Sequence, residues 1–319
     1  MVLLLYVDDI VLTGNDSQFL EEFIVTLGTR FAMKDLGPLH YFLSIEVTST
    51  PQGLFLSQAK YAADILHHAH MVNIKPMGTP MALKLDLGST DPFPDITLYR
   101  SLVGALQYLT MTRPDLSYAV NSVCQHMHAP SMAHFGMVKR ILRYVRGTLD
   151  QGLRIVRNST MDLYAFSNSD WAGCYLIRRS TTGFCTFLGS NCISWSAKKQ
   201  PTIAHSSIEA EYRAMASTTT GFTWLTFLLR DIGIAQPHPA TLFCDNMSAL
   251  HMTVNPILHA RTKHIEVDYH YMRERVALGS LVTRYIPSNC QLADVFTKPL
   301  PRHALACICV NWTSVPGSV

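Results

Sequence analysis

Charge is scarce in this sequence. Of its 319 residues only 15% are Asp, Glu, Lys or Arg, while 48% are apolar. That balance excludes a disordered, self-repelling chain and implies buried cores with modestly polar or partner-covered surfaces. Long apolar runs are also absent, and no stretch approaches the roughly 18 residues of a membrane span. Val2 to Leu5 is too short for a signal-peptide core and lacks a basic flank. The eight Cys include no C-x-x-C pair, only the C-x-C of Cys307 and Cys309. Reduced thiols therefore fit better than a disulfide framework, and the expected location is intracellular, cytoplasmic or nuclear, with no membrane partner. The 14 His offer no helical zinc spacing: His67, His68 and His70, His264 and His270, and His251 and His259 all miss the i, i+4 pattern. Internal repeats and low-complexity tracts are lacking as well.

What charge there is lies unevenly. Residues 1–150 carry 11 basic and 13 acidic side chains, and residues 151–319 carry 15 and 10. A mildly basic second half suits a phosphate backbone, although a surplus of this size is also ordinary. The periodicity predicts a hairpin, a helix over Ser17 to Phe31 and a strand over Tyr41 to Val47. A turn at Pro51-Gln-Gly53, a strand at Leu54 to Leu56 and a helix capped by Ser57 and running to His70 follow. Residues 73–97, with four Pro, read as a surface connector. Helices are expected over Leu98 to Thr112, Asp115 to His128 and residues 134–147. In the last, Val138, Ile141, Leu142 and Val145 share one face, while Lys139, Arg140 and Arg143 spread over the rest. Those cations either line a nucleic-acid backbone or form a solvated face.

A boundary is expected near residues 148–160. Beyond it the order is three strands, helix, strand, helices, strand, helix. The strands begin with Leu163 to Asp170 and the hairpin Gly183 to Trp195. A helix from Ser206, strand Thr241 to Cys244, a helix over 265–277, strand Leu281 to Ile286 and a final helix from Gln291 complete the set.

Carboxylates stand out against the low charge. Asp8 and Asp9 sit between two short apolar runs, as at a hairpin tip, where paired oxygens can ligate a divalent cation. Glu209 lies three residues after Ser206, the capping-box spacing, and Glu211 points to another face. Asp245 ends an apolar strand, either as a ligand or as a helix cap. Asp294 lies among Leu292, Ala293, Val295 and Phe296, which demands a partner unless it faces solvent.

The words around these residues resemble Ty1/copia-type retrotransposon Pol polyproteins. Tyr6-Val-Asp-Asp9, Phe31-Ala-Met-Lys-Asp-Leu-Gly37, Tyr99 to Leu109 and Thr112-Arg-Pro-Asp115 look like their reverse transcriptase. Phe166-Ser-Asn-Ser-Asp-Trp-Ala-Gly173, Arg179-Ser-Thr-Thr-Gly183, Ile193 to Gln200 and Ser206 to Tyr212 look like their ribonuclease H. So do Cys244-Asp-Asn246, Arg261-Thr-Lys-His-Ile265 and Gln291 to Lys298. The resemblance covers about residues 3–303 and implies an α+β region followed by an α/β one. Residues 1–150 would be a partial palm and thumb or connection region of a reverse transcriptase. Residues 160–303 would be a ribonuclease H-like domain with a mixed five-stranded sheet and flanking helices. Residues 304–319 depart from the family as a divergent tail.

The resemblance implies two reactions, RNA-directed DNA synthesis and two-Mg²⁺ hydrolysis of RNA in an RNA–DNA hybrid. Asp8 and Asp9 match the polymerase pair, whose companion Asp lies upstream in the family. The chain is thus expected to be truncated and to lack self-sufficient polymerase activity. Glu211, Asp245 and Asp294 match hydrolytic metal ligands. The family strand reads Ser-Asp-Ala-Asp-Trp-Ala-Gly, and its first Asp is here Asn168, with Asp170 retained two residues on. At roughly 6–7 Å along a strand, Asp170 is too far for simple replacement. An impaired ribonuclease H is expected. Nucleic acid would meet Lys139, Arg140, Arg143, Lys198, Lys199, Arg261 and Lys263. The loop Ile286 to Cys290 lacks the His that many ribonucleases H carry for product release. The alternatives are a non-catalytic nucleic-acid-binding remnant, or a partner whose palm edge pairs with a full-length reverse transcriptase.

Overall fold

A computed structural model describes residues 1–84, 91–174, 177–254 and 266–309. The chain opens with β1 (Val2–Tyr6) and β2 (Asp9–Thr13), an antiparallel hairpin in which Tyr6 pairs with Asp9. Asp16 caps α1 (Ser17–Arg30) by accepting the Phe19 N–H at 3.0 Å. No residue before Val47 is buried, so this opening segment has no core of its own.

The strand expected over Tyr41 to Val47 is broken into β3 (Tyr41–Phe42) and β4 (Ile45–Thr50). Leu43 and Ser44 turn between them with φ of 49° and 58°, a conformation costly for L side chains and invisible in an apolar run. β5 (Gly53–Ser57) follows. Ser57 is its last residue and donates to Glu46 rather than capping a helix, and α2 (Ala59–His68) starts after Gln58 with no side-chain cap.

Asp95 caps α3 (Ile96–Leu109), whose Tyr99, Leu102, Val103, Leu106 and Leu109 form one buried stripe. α4 (Ser117–Cys124) is shorter than expected, because Pro114–Leu116 forms a 3₁₀ turn ahead of it. That turn carries a buried ion pair. Arg113 grips Asp115 through Nε at 2.9 Å and Nη2 at 2.7 Å, and Nη1 donates to the Thr148 carbonyl at 2.8 Å. Tyr144 donates to the same carboxylate at 2.8 Å. Every charge is matched, as burial demands. In α5 (Met132–Arg146), Val138, Ile141, Leu142 and Val145 are buried as their spacing predicts.

The segment read as a boundary contains β6 (Gly152–Val156), which pairs with β5 to complete a four-stranded sheet of order β3-β4-β5-β6. Next come β7 (Leu163–Asp170), β8 (Thr181–Leu188), β9 (Asn191–Lys199), α6 (Ser207–Asp231), β10 (Ala240–Cys244), α7 (Met247–Val254), α8 (Glu266–Ala277) and β11 (Leu281–Tyr285). They form a five-stranded sheet of order β11-β10-β7-β8-β9. β7, β8 and β9 are antiparallel, and β10 runs parallel to β7 and β11, so the sheet is mixed as expected.

One face packs α6, α7 and α8 through Tyr212, Met215, Leu242 and Met272. On the other side, Phe166, Cys185 and Phe187 join Leu106, Leu116, Ile141 and Phe296 in one cluster that runs between the two sheets. The helix expected from Gln291 is a 3₁₀ turn, Leu292–Phe296. After it, α9 (Arg302–Cys309) buries Leu305 and Cys309 in the same cluster, so the start of the divergent tail is packed. Residues 310–319 lie outside the described residues. No helix among the described residues is long and apolar enough to cross a membrane.

Candidate metal centre

The ends of β7 and β10, the first turns of α6 and the 292–296 turn meet at one place. Ser206 starts α6 by accepting the Glu209 N–H at 3.2 Å. Glu209 accepts the His205 N–H at 2.8 Å, one residue before the cap and not the Ser206 N–H of a capping box, and holds Arg213 at 2.6 Å, so its task is structural though not the one its spacing suggested. Glu211 turns instead to β7, where its Oε1 accepts the Ser169 N–H at 3.1 Å. Its Oε2 faces the Cys244 thiol at 4.0 Å. Ligand atoms of Glu211, Cys244 and Asp245 all lie within 4.8 Å of one another. Asp245 Oδ2 accepts from Ser288 at 2.8 Å, within the loop that has no His.

Asp294 enters from the far side of the sheet. Its turn lies directly on β8 at Gly183, where a Cβ would stand 2.5 Å from Thr297 Cγ2 and 2.7 Å from Phe296 Cβ. Gly183 is also the register partner of Asn168. The missing side chain lets Asp294 reach Asn168, whose Nδ2 donates to Asp294 Oδ1 at 2.6 Å and to Thr297 Oγ1 at 2.9 Å. Asn168 Oδ1 accepts the Ser169 N–H at 2.8 Å. Lys298 pairs with Asp294 at 2.8 Å. The amide thus presents its hydrogens, not its oxygen, to the carboxylate opposite.

The electrostatics reflect crowded acids. Burial pushes the Glu211 carboxyl up to about 8, with Asp245 and Asp294 adding to the rise and the Ser169 N–H opposing it. Burial also raises Asp294, against the pull of Lys298. Cys244 is pushed up to about 12 by burial and then by Glu211, so it stays a thiol. Its presence here escaped the sequence reading; strand alternation from Leu242, buried on the α6 face, was the available signal.

Asp170 does not join this group. Its carboxylate accepts the Thr181 N–H, and burial lifts it to about 7. Asp8 stands in the exposed hairpin turn and Asp9 begins β2, and no third metal-ligating side chain gathers with them among the described residues.

The expected cationic contacts divide. Arg140 donates to Thr79 at 2.8 Å and Arg143 to the Lys75 carbonyl at 2.8 Å, tying α5 to the connector. Lys139 lies over the Phe135 ring. Lys199 donates to Cys174 Sγ at 3.2 Å, and Lys198 is exposed on β9. Arg261 and Lys263 lie outside the described residues.

Known proteins are similar to this chain in sequence and in fold. Residues 1–83 match the family model described as reverse transcriptase (RNA-dependent DNA polymerase). The retrovirus-related Pol polyprotein from transposon RE2 of Arabidopsis thaliana is 47% identical over 304 residues, which is 95% of this chain and 21% of that protein. An uncharacterised mitochondrial protein of Arabidopsis thaliana is 60% identical over 225 residues, covering 70% of this chain and 94% of its own length. The foamy viral protease–reverse transcriptase in complex with double-stranded DNA has a similar fold, with a TM-score of 0.50 at 12% identity over 89% of this chain and 46% of that one.

The fold is that of a reverse transcriptase portion followed by a ribonuclease H-like α/β sheet. The chain belongs to the Ty1/copia-type family of retrovirus-related Pol polyproteins. It spans about a fifth of the length of the transposon RE1 and RE2 polyproteins it matches.

Proposed function

We propose that this chain is a hybrid-binding, ribonuclease H-like part of a copia-type Pol polyprotein whose hydrolytic centre is impaired at Asn168. One observation carries the reading: the Asn168 amide donates at 2.6 Å to Asp294, where the family resemblance expects a second carboxylate.

The family holds two Mg²⁺ ions at this place, and the residues here match that demand only in part. Glu211 and Asp245, whose ligand atoms lie within 4.8 Å of each other, fit a hard divalent cation because they offer oxygen ligands. Asp294 offers a third carboxylate outside that group, and burial and neighbouring acids raise it and Glu211. Asn168 does not fit. It brings no charge, its oxygen already accepts from Ser169, and its hydrogens face the acid. Glu211 and Asp245 would hold such a metal, which when bound would supply activation of water and stabilisation of the leaving oxygen.

The chain's own part is to fix the ligands. Ser169 orients Glu211, Ser288 orients Asp245, Lys298 neutralises Asp294 internally, and Asn168 adds a hydrogen bond to it. That internal neutralisation competes with cation binding. Losing one ligand charge should slow cleavage by on the order of 100-fold or more, given the several kcal/mol a metal contributes. Asp8 and Asp9 carry no part of this chemistry.

The partner proposed is an RNA–DNA hybrid. Support comes from the family and from the exposed Lys198 beside the sheet edge. The test is cleavage of a labelled hybrid in Mg²⁺ by wild type, Asn168→Asp and Asp245→Asn. Restored cleavage in Asn168→Asp supports the reading. Robust wild-type turnover that Asp245→Asn abolishes would refute it.

A further inference from the structure

We propose that Trp171 is a substrate-contact residue whose indole face packs against the sugar–base edge of a nucleotide held over the Glu211–Asp245–Asp294 centre. This rests on the reading that the centre receives an RNA–DNA hybrid. Trp171 follows β7 directly and stands two residues beyond Ser169, which donates to Glu211 at 3.1 Å. Its Nε1 donates to the Ala204 carbonyl at 3.1 Å, two residues ahead of Ser206, the N-cap of α6. The ring is therefore held between the two segments that deliver Asn168 and Glu211.

A Trp at such a place would ordinarily be buried, yet this one is 53% exposed. Its display is built into the backbone. Ala172 adopts φ 55°, which L residues rarely do, and its N–H donates to Ser180 Oγ at 3.0 Å. The Asp170 carboxylate fills the space beneath, so that a Cβ on Gly173 would stand 2.1 Å from its Oδ2. Bent and filled in this way, residues 170–173 hold the indole beside the segment that leads into α6.

The atoms left over define the contact. The single indole donor is used by Ala204, so only the ring face meets a ligand. A ring face reads no base edge and neutralises no phosphate, which makes the contact sequence-tolerant and insensitive to salt. An A-like helix offers a wide, shallow minor groove lined by sugars, which suits a flat ring.

The test is equilibrium binding of a labelled RNA–DNA hybrid to the full chain in Ca²⁺ buffer across a salt series. The proteins compared are wild type, Trp171→Phe, Trp171→Ala and Trp224→Ala. Trp224 is 63% exposed on the distant part of α6 and serves as the control. Trp171→Ala should bind about tenfold more weakly with an unchanged salt slope. Trp171→Phe should bind within about threefold of wild type, and Trp224→Ala like wild type. Hybrid should also quench a share of the wild-type tryptophan emission that Trp171→Phe lacks, a readout independent of the folding of the Ala variant.

Unchanged binding by Trp171→Ala would overturn the proposal while leaving hybrid binding intact. So would a Trp171→Phe variant as weak as Trp171→Ala, because both lose the Ala204 bond and only Phe keeps a ring face. A wild type that binds no hybrid would overturn the proposed function and this contact together.

Discussion

Asparagine and aspartate have nearly the same shape, and at position 168 that likeness hides a reversal of chemistry. A carboxylate there would repel Asp294 unless a cation lay between them. The amide instead donates to Asp294 and shares it with Lys298. Glu211 keeps the strain that this arrangement does not relieve. Its carboxyl is held up to about 8 in the fold, against an ordinary value of 4.5. Between those two values the unfolded chain has lost the proton and the folded chain has kept it, so stability falls as pH rises through that window. Below 4.5 both states are protonated and the penalty disappears. Glu211→Gln should therefore melt above wild type at about pH 9 and converge with it towards about pH 4. Parallel melting curves for the two proteins across that range would contradict the assignment of the shift to Glu211. The words that hold Asn168, Glu211, Asp245 and Asp294 stand out in the sequence because each is short and distinctive, which makes these residues candidates. The roles of the Cys244 thiol and the Ser288 hydroxyl are not legible there, since they come from long-range approach of β10, α6 and the loop after β11.

Among the elements, the apolar stripes translated well and the caps in part: Ser206 caps α6, whereas Ser57 ends β5 rather than capping α2. The caps at Ser206 and the buried face of α5 follow directly from local spacing. Failures came where backbone conformation overrides composition. The turn at Leu43 and Ser44, the 3₁₀ turn at 292–296 and the strand β6 depend on φ values or on a distant pairing partner. Gly183 illustrates the same point. It reads as one glycine in a strand, but the 292–296 turn lies on it so closely that a side chain has no room. Gly183→Ala should cost about 1–3 kcal/mol through overpacking. It should also push Asp294 away from Asn168. A variant with an unchanged melting temperature would show that the turn is not held by this contact.

At the scale of the molecule, the expected boundary near residues 148–160 is spanned by structure. β6 pairs along its length with β5, Trp195 donates to the Thr110 carbonyl at 3.0 Å, and one apolar cluster contains side chains from both sheets. Single-domain cooperativity follows when a core is continuous. The two halves, from β4 to α9, should unfold in one calorimetric transition, and two well-separated transitions would contradict a shared core. The opening hairpin and α1 stand apart from that core, with no buried residue before Val47. Family words in the sequence could identify the two regions, but a pattern with period two or 3.6 carries no information about which sheet accepts an isolated strand.

The central claim is that Asn168 converts a metal-ligand position into a hydrogen-bond donor, and it is tested most directly by hydrolysis of an RNA–DNA hybrid in Mg²⁺ by wild type and Asn168→Asp side by side. The expected result is little or no wild-type cleavage and a gain on the order of 100-fold or more in the variant, abolished by adding Asp245→Asn. Equal rates for wild type and Asn168→Asp, whether both fast or both absent, would contradict it.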